Sequence, residues 1–451
     1  MRFQYDILSL RAQMKISIFG LGYVGAVTAG CLSSRGHYVV GVDVHEQKVG
    51  DFNKGIAPIV EPGLEELLMS AKDKELLRAT TDCADAIRDT ELSIICVGTP
   101  SSPSGALDLQ YVRTVAGQIA DAIKAKNSHH HIVFRSTMLP GSTRGIVDEK
   151  LQDVLDSGLA DVFYYPEFLR ESTAVKDFQI PSLAVVGSID GARPPENLMS
   201  ELFGSYGEER EPACVVNWQT AEMIKYACNA FHAAKITFAN EIGRVGKQLE
   251  IDSKAVMHML CQDTRLNISS YYMRPGNPFG GSCLPKDVRA LTDKARTAGV
   301  HVPLLENLLN SNDRHLQSLL SIIEATGKRE AVILGLSFKS NTDDLRESPM
   351  VDVAQYLVGH GYEVRIYDPA LNLASLIGAN KRVIDVRMPH LAKLLQSDLP
   401  TALGSGGVVI AAQKSPLDEL APHVTADHHF IDVNGWTELS ELPSKYEGFC
   451  W

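Results

Sequence analysis

The sequence lacks three features that would indicate particular classes of protein. No two cysteines stand at C-x-x-C spacing, although there are eight of them, so neither a structural zinc site nor a disulfide framework is indicated. No apolar run is long enough to span a bilayer. There is also no basic surplus: 43 Lys and Arg against 55 Asp and Glu give a formal net charge of -12, which argues against nucleic acids and anionic membranes as partners.

What is present is the composition of a globular protein with more than one domain. The 451 residues are 45% hydrophobic and 22% charged, enough to bury large cores. Scattered cysteines are typical of reduced thiols, so we expect a cytoplasmic protein. Residues 1–13 lack the basic and apolar regions of a leader and are predicted to be an extension, because the folding pattern starts at Met14.

A dinucleotide-binding pattern follows directly. Lys15–Phe19 is predicted to be a buried strand, and a glycine-rich turn leads from it into a helix over residues 26–35. The turn has the spacing G-x-G-x-x-G, formed by Gly20, Gly22 and Gly25. These glycines would let a pyrophosphate approach the helix N-terminus, where free N–H groups favour negative charge.

The next strand, over residues 37–43, ends in an acid. Asp43 stands about 20 positions beyond the glycine turn, where such a carboxylate binds the adenosine ribose. An acid at this place favours NAD over NADP. The sequence therefore predicts a Rossmann domain that binds NAD.

Two further apolar segments end in small polar residues. Residues 92–100 and 131–140 are predicted to be strands, with Thr99 and Thr137 at their carboxyl ends, where ligands of such sheets bind. Either threonine could contact the cofactor or a water, or simply cap a turn. The run 129–131 is three histidines without a carboxylate or cysteine at ligand spacing, so we expect no metal.

Two charged segments follow. In Pro166–Ser172, Glu167 and Glu171 would share one face if the segment were helical, or they are a solvated pair. A long helix is predicted over residues 221–247, and its polar residues line a pocket or face solvent; they are Lys225, Asn229, His232 and Asn240. This helix is also a natural dimerisation element.

The segment Phe279–Asp287 carries the candidate nucleophile, Cys283. Two glycines allow a tight turn before it, and Pro285 is a favoured first residue of a helix. A helix N-terminus with Lys286 nearby would favour the thiolate. The alternative is a buried structural cysteine.

A second α/β pattern occupies the C-terminal part. Strands are predicted within residues 331–339, 361–368, 407–411 and 430–433, but this part lacks G-x-G-x-x-G. We expect it to hold a different nucleotide, with Lys339 and Arg346 as phosphate or ribose partners.

Together these motifs resemble the nucleotide-sugar 6-dehydrogenases, the UDP-glucose/GDP-mannose dehydrogenase family. The resemblance covers nearly everything from Met14 to Trp451 and rests on Gly20–Gly25, 60–64, 166–172, 222–226, 271–276, 279–287, 335–349 and 450–451. It implies an α/β protein with a Rossmann NAD-binding domain over 14–212. A central helical domain with the catalytic loop and a long dimerisation helix follows over 213–325, and a Rossmann-like nucleotide-sugar domain over 326–451.

The resemblance also implies a reaction. A sugar C6 alcohol would be oxidised to an acid by four electrons, using two NAD and one water. Cys283 would capture the aldehyde as a thiohemiacetal, which is then oxidised to a thioester. The expected substrate is GDP-mannose, which would give GDP-mannuronate for alginate or a similar polymer; the alternative is a UDP-sugar such as UDP-glucose.

Residue roles follow from the same resemblance. Lys225 and Asn229 would donate to the oxyanion, while Glu167, Thr137 and Asp287 would position or activate water. Cofactor-binding candidates are Gly20, Gly22, Tyr23, Val24, Gly25, Asp43, Lys48, Thr99, Thr137, Lys286 and Arg346. Substrate-binding candidates are Glu171, Lys225, Asn229, His232, Asn240, Tyr271, Tyr272, Arg274, Phe279, Gly280 and Lys339.

The arginine, Arg274, can come from a neighbouring subunit in this family, so a homodimer or higher homo-oligomer with a shared active site is expected. Two other functions remain open. A two-electron hydroxy-acid dehydrogenase would use Lys225 and Asn229, with Cys283 merely structural. A non-enzymatic NAD-binding scaffold would leave the candidate residues without a joint purpose.

Overall fold

The structure is a computed structural model of the chain. It describes residues 13–102, 106–196, 198, 213–270, 272–281, 283–338, 342, 344–371 and 386–451. By their internal contacts the residues form two compact units, Met1–His232 and Ala233–Trp451. The division into three domains at 212/213 and 325/326 stays a prediction.

The N-terminal unit is organised around a mainly parallel sheet. Its strands are β1 (Lys15–Phe19), β2 (Tyr38–Val42), β3 (Leu77–Thr80), β4 (Leu92–Ile95), β5 (His130–Phe134), β6 (Ala160–Tyr164), β7 (Val185–Ser188) and β8 (Cys214–Asn217). Their order is β3-β2-β1-β4-β5-β6-β7-β8, and the described pairs are parallel except for β6 with β7. This is the doubly wound arrangement that the sequence predicts, with β1 inside the sheet.

Helices cover this sheet. They are α1 (Tyr23–Ser34), α2 (Glu46–Asn53), α3 (Leu64–Asp73), α4 (Cys83–Arg88), α5 (Gln110–Lys126), α6 (Ser142–Ile146), α7 (Gln152–Asp156) and α8 (Ala174–Gln179). A π-helical turn, Val147–Leu151, joins α6 to α7. Strands such as β4 are buried along their whole length, because a parallel sheet with helices on both faces exposes neither side.

Helix α9 (Trp218–Gln248) leads from β8 into the second unit. The other helices of the second unit are α10 (Ser253–Gln262), α11 (Leu284–Thr297), α12 (Pro303–Ala325), α13 (Pro349–Gly359), α14 (Leu391–Leu394), α15 (Leu399–Leu403) and α16 (Leu417–Leu420). Among the described residues, no helix combines the length and the apolar character that crossing a bilayer needs.

The second unit contains a parallel sheet of its own. Its strands are β9 (Glu330–Leu334), β10 (Glu363–Tyr367), β11 (Gly407–Ala411), β12 (His428–Asp432) and β13 (Lys445–Gly448). They lie in the order β10-β9-β11-β12-β13. The C-terminal α/β pattern is therefore confirmed as a second parallel sheet with apolar residues on both faces.

Candidate active site

A cleft of about 940 Å³ opens at the carboxyl ends of the central strands of the N-terminal unit. Gly20 and Gly22 line it after β1, Asp43 after β2, and Val97 and Gly98 after β4. Ligands of parallel α/β sheets bind at this edge, and the volume is within the range of small-molecule sites. The cleft fits a dinucleotide, and the turn Gly20–Gly25 opens onto the N-terminus of α1 as the sequence predicts.

Asp43 is held in its ionised form inside this cleft. Its Oδ2 accepts hydrogen bonds from the Leu21 N–H at 3.0 Å and from Lys48 Nζ at 3.1 Å, and its Oδ1 accepts one from the His45 N–H at 3.1 Å. Burial works against the charge, but these donors outweigh it and keep the pKa of Asp43 below its usual value. Lys48 thus lies in the cleft as an ion-pair partner of Asp43.

The first turn of α1 is fixed from outside the glycine motif. The Tyr23 hydroxyl donates to Glu61 Oε2, which also accepts from the Ser172 N–H at 2.9 Å. Glu61 Oε1 accepts from the Ala174 N–H at 2.8 Å. Burial and then the Glu61 contact raise the pKa of Tyr23. Tyr23 therefore ties α1 to the loop that contains Glu167, and Val24 is half-buried beside it.

That loop is not helical. Residues 165–170 have no regular structure and Ser172 has φ 71°, so Glu167 and Glu171 do not share a helix face, and the helical alternative is wrong. The reason is the carboxylate of Glu61, which binds backbone N–H groups that a helix would use. Glu171 is exposed, whereas Glu167 turns inward.

Glu167 and Lys225 form a buried ion pair. Lys225 Nζ lies 2.7 Å from Glu167 Oε1, and the two side chains are 7% and 14% exposed. Glu167 Oε2 accepts from the Leu169 N–H at 2.8 Å, and Lys225 Nζ also lies 5.4 Å from the centre of the Phe168 ring. Removing a charged pair from water is costly unless both partners are held by other groups. A buried ion pair in a ligand-binding unit therefore indicates a functional role.

The two threonines lie next to each other. Thr99 Oγ1 donates to the Thr137 carbonyl at 2.9 Å, after β4 and β5 respectively, and both are half-buried. For Thr99, turn stabilisation is thus seen directly. For the Thr137 hydroxyl, no comparable hydrogen bond is seen among the described residues.

Sequence reasoning missed Glu222, which ties the start of α9 to the turn at Gly141. It is fully buried on α9, one turn before Lys225, and accepts from the Gly141 N–H at 2.6 Å and the Thr143 N–H at 2.7 Å. The Thr143 hydroxyl also donates to it at 2.6 Å. Burial raises the pKa of Glu222, although these donors work against the rise. Only a charge inside an otherwise apolar stretch could have signalled it.

The polar stripe on α9 is not uniform. Lys225 is buried, but Asn229 and His232 lie in a stretch, 229–237, where every residue is exposed, and Asn240 is exposed beyond it. The helix leaves the packing of the first unit after its second turn, which the stripe's spacing could not reveal. Within the single chain only Lys225 is buried, and the roles of Asn229, His232 and Asn240 as pocket residues stay a prediction.

In the second unit, Cys283 caps helix α11. It is the N-cap residue, it is exposed, and Pro285 occupies the first turn. Gly281 precedes it with φ 84°, and a Cβ there would lie 2.6 Å from the Phe338 ring, so the turn requires glycine. An exposed thiol at a helix N-terminus is the setting of a reactive cysteine rather than of a structural one.

Two cations are close enough to respond to this thiol. A hydrogen bond to Asp287, at 2.8 Å, and to a smaller extent the charge of Cys283 raise the pKa of Lys286. The paired carboxylate of Asp344, and again Cys283 to a smaller extent, raise the pKa of Arg346. Lys286 and Arg346 lie in the second unit and the cleft in the first.

The loop that carries Cys283 is anchored within its own unit. The Phe279 N–H donates to Asn312 Oδ1 at 2.8 Å, and Asn312 Nδ2 donates back to the Phe279 carbonyl at 2.9 Å. The Gly281 N–H donates to the Glu347 carbonyl at 3.1 Å, and Gly280 packs on Pro349. Tyr272 and Arg274 are exposed before this anchored part. Tyr271 and Lys339 lie outside the described residues.

Comparisons with known proteins give a consistent result along the chain. Models of the UDP-glucose/GDP-mannose dehydrogenase family match in three parts: the NAD-binding domain over 14–206, the central domain over 219–314 and the UDP-binding domain over 332–434. The GDP-mannose 6-dehydrogenase of Pseudomonas syringae pv. tomato is 46% identical over 446 residues, 97% of this chain and 100% of that one.

A UDP-glucose 6-dehydrogenase of Haloferax volcanii is 39% identical over 367 residues, which are 79% of this chain and 83% of that one. Among solved structures, a ternary complex of GDP-mannose dehydrogenase from Pseudomonas aeruginosa matches with a TM-score of 0.89 at 45% identity. That match covers 97% of this chain and 100% of the other.

Proposed function

The chain belongs to the UDP-glucose/GDP-mannose dehydrogenase family, and we propose that it oxidises GDP-mannose to GDP-mannuronate with NAD, through a thioester on Cys283. It is an NAD-dependent nucleotide-sugar dehydrogenase. The observation that carries the mechanism is the exposed Cys283 thiol at the N-terminus of α11, where Pro285 occupies the first turn.

GDP-mannose is favoured over a UDP-sugar by the extent of the likeness. The GDP-mannose 6-dehydrogenase of Pseudomonas syringae pv. tomato aligns with 97% of the chain at 46% identity, whereas the UDP-glucose 6-dehydrogenase of Haloferax volcanii aligns with 79% at 39%. The same reaction on UDP-glucose is the second candidate.

NAD in the cleft would be held by the turn Gly20–Gly25 and by Asp43, and when bound it accepts the hydride in each of the two oxidations. The first oxidation turns the C6 alcohol into an aldehyde and releases a proton. The Cys283 thiolate then adds to the carbonyl carbon, and the oxygen takes up a proton to give a thiohemiacetal. Loss of a hydride and a proton from this adduct leaves a thioester, which water cleaves to the acid and the free thiol.

The side chains of the first unit supply the polar part of this chemistry. Lys225 and Asn229 stabilise negative charge on the C6 oxygen, and the Glu167 contact orients Lys225. Thr137 and Glu167 position the hydrolytic water, and Asp287 is a further candidate for that role by the family resemblance. Losing one donor to an oxyanion typically costs about a hundredfold in rate.

The deciding experiment counts NADH per sugar. Purified protein receives excess NAD and limiting GDP-mannose, with UDP-glucose in a parallel reaction. About two NADH per GDP-mannose is expected for the covalent route, whereas about one would mean a two-electron alcohol dehydrogenase. Turnover of UDP-glucose without turnover of GDP-mannose would replace the substrate but keep the mechanism.

A pair of cysteine variants separates chemistry from structure. Cys283→Ser should lower acid formation more than about a hundredfold, because the serine hydroxyl is not ionised at neutral pH and is a far poorer nucleophile, and an alkoxide is a poorer leaving group than a thiolate. The matched control is Cys261→Ser, at another exposed cysteine, which should keep normal turnover. Equal activities in both variants would return Cys283 to a structural role.

The active form is proposed to be a homodimer in which Arg274 of one subunit contributes to the site of the other. The surface of helix α9 supports a dimer. Phe231 and Ile236 are 43% and 63% exposed in a stretch where residues 229–237 are all exposed, and apolar helix surface of this kind is normally covered by another element. Ile236→Asp should give a monomer with little activity by light scattering and assay. Val386→Asp, at an 80% exposed valine, is the control that should stay dimeric.

We also propose that the enzyme works in the cytoplasm and supplies a mannuronate-containing polymer such as alginate. Its cysteines are free in the described chain, as in reducing compartments. An activated sugar acid is the donor that a polymerising glycosyltransferase would consume. Loss of mannuronate from the cell's polysaccharide after deletion of the gene would test this placement.

A further inference from the structure

The strands β5 and β6 bring two histidines and an aspartate together at the amino ends of the N-terminal sheet. In the parallel register His131 pairs with Asp161, so their side chains emerge on the same face. His129 stands two residues before His131, which places it on that face as well. The sequence shows the histidines but not the carboxylate, because Asp161 lies 30 positions away and becomes a neighbour only through the sheet.

The three side chains meet at ligand distances. His129 Nε2 lies 3.2 Å from Asp161 Oδ2, and His131 Nδ1 lies 3.4 Å from the same oxygen. Donor atoms of the three residues all lie within 4.8 Å of one another. Metal bonds of about 2.0–2.1 Å in a tetrahedral site separate neighbouring ligand atoms by about 3.3 Å. The observed spacing is therefore that of a site that would need little movement to close on an ion.

One of these donors is buried without a well-formed hydrogen bond. His131 Nδ1 has no partner of good geometry in the described chain, although it faces Asp161, and the His131 side chain is only 14% exposed. A buried donor or acceptor in this state costs free energy that a ligand would recover. In the part of the chain that the structure describes, this is the one group of three His, Cys, Asp or Glu residues with metal-binding spacing.

We propose that His129 Nε2, His131 Nδ1 and a carboxylate oxygen of Asp161 bind one Zn²⁺ ion, with water in the remaining position. Two imidazoles and a carboxylate suit zinc and its neighbours among the divalent transition metals, and they do not suit calcium or magnesium, which take oxygen ligands only. His129 and Asp161 are 46% and 45% exposed, so the ion can enter from solvent.

The position of the site defines its role. His131 and Asp161 are the second residues of β5 and β6, at the amino ends of the strands, whereas the cofactor cleft lies at the carboxyl ends. In a parallel sheet these are opposite edges. The ion therefore takes no part in hydride transfer, and it joins β5 to β6 and stabilises the folded N-terminal unit in proportion to its occupancy.

The experiment titrates the metal-free full-length protein with ZnCl₂ by calorimetry and with CoCl₂ by visible absorption. Since zinc also binds thiolates, each protein is measured in the Cys283→Ser background as well. We expect about one Zn²⁺ per chain attributable to the cluster, Co²⁺ bands of a four-coordinate ion, and a melting temperature a few degrees higher with metal.

Variants make the assignment specific. His129→Ala, at an exposed side chain, and Asp161→Asn, which keeps its volume, should each weaken Zn²⁺ binding about tenfold or more and abolish the thermal shift. His390→Ala, at an exposed histidine that makes no capping hydrogen bond, should bind like the parent. Equal affinity in all four proteins, or no binding below about 1 mM, would show that the three residues form an ion pair only.

Discussion

The two units of the chain begin their sheets with the same turn. After β1 stands Gly20-Leu21-Gly22, and after β9 stands Gly335-Leu336-Ser337. The first glycine has φ 92° in both, and its N–H donates to the last residue of the neighbouring strand, Val42 at 2.7 Å and Tyr367 at 2.8 Å. Each neighbouring strand is followed by an aspartate that accepts from the leucine N–H, Asp43 at 3.0 Å and Asp368 at 2.9 Å.

The third residue makes the two turns different. In the second unit the Ser337 N–H and hydroxyl donate to Asp368 Oδ2 at 2.8 and 2.7 Å, so that oxygen already accepts three hydrogen bonds. In the first unit glycine stands there instead, and a Cβ on Gly22 would meet nothing within 4 Å. Asp43 lines the cleft with Lys48 beside it. The same backbone turn thus holds an acid that faces the cleft in the first unit and an acid that binds the turn itself in the second. The two turns differ at their third residue by the hydroxymethyl group of Ser337.

The largest expected effect concerns the structural acid. Asp368→Ala would leave the Leu336 and Ser337 N–H groups unpaired in a buried turn and should cost about 3 kcal/mol of unfolding free energy. Asp43→Ala also removes the acceptor of two backbone N–H groups, but Asp43 lines the open cleft, where water can replace the carboxylate, so the cost should be about 1 kcal/mol. Urea denaturation measures the unfolding free energy of both variants. Equal losses would show that the two acids contribute equally to stability.

The next effect tests the open turn. Gly22→Ser has room for its side chain, so the protein should fold, but the hydroxyl can bind Asp43 as Ser337 binds Asp368 and can intrude on the cleft. KM for NAD should then rise about tenfold, equivalent to about 1.4 kcal/mol. The matched variant Gly22→Ala adds only the Cβ and should raise KM less. A larger effect in the alanine variant would mean that bulk, not the hydroxyl, decides.

A smaller effect is expected from opening the closed turn. Ser337→Ala removes the 2.7 Å hydroxyl bond but leaves the backbone donors of the turn in place. The loss of unfolding free energy should be about 1 kcal/mol, the usual worth of one such bond. KM for NAD should not change, and a change would connect this turn to the cofactor.

The smallest effect is a dependence on pH. The folded protein binds a proton at Asp43 more weakly than the unfolded chain does, because its pKa is lowered from 3.8. The corresponding stability is present above pH 3.8 and is lost as pH falls through the lower folded pKa. The difference in unfolding free energy between the parent and Asp43→Asn should therefore shrink as pH falls below 3.8. Growth of that difference on acidification would contradict the assignment.

Local patterns predicted the sheet framework well. β1 and β11 have the predicted bounds, and the segments expected to form β2, β4 and β10 contain the observed strands, whereas β5 and β9 begin one residue before the predicted segments. Buried parallel strands are short apolar runs, and the glycines that end them are visible in sequence. The N-cap position of Cys283 was predictable for the same reason, since two glycines and a proline frame it within five residues.

Contacts between distant segments were not predictable. Glu61 holds the loop of Glu167 in a non-helical form from more than 100 positions away, and Glu222 reaches the turn at Gly141 across 81. Nothing in the local pattern separates these buried acceptors from solvated acids. The same limit explains Asp161, whose partnership with two histidines exists only in the register of β5 and β6.

The place of β1 inside its sheet also affects how the protein is made. β1 pairs with β4, for example Ser17 with Ser93, so the first strand to leave the ribosome lacks one neighbour until β4 has been translated. At about 5–20 residues per second this takes roughly 4–15 s, during which an apolar strand has an unpaired edge. During that period the open edge of β1 is prone to aggregation. A chaperone that binds this edge would protect the nascent chain until β4 has paired with β1.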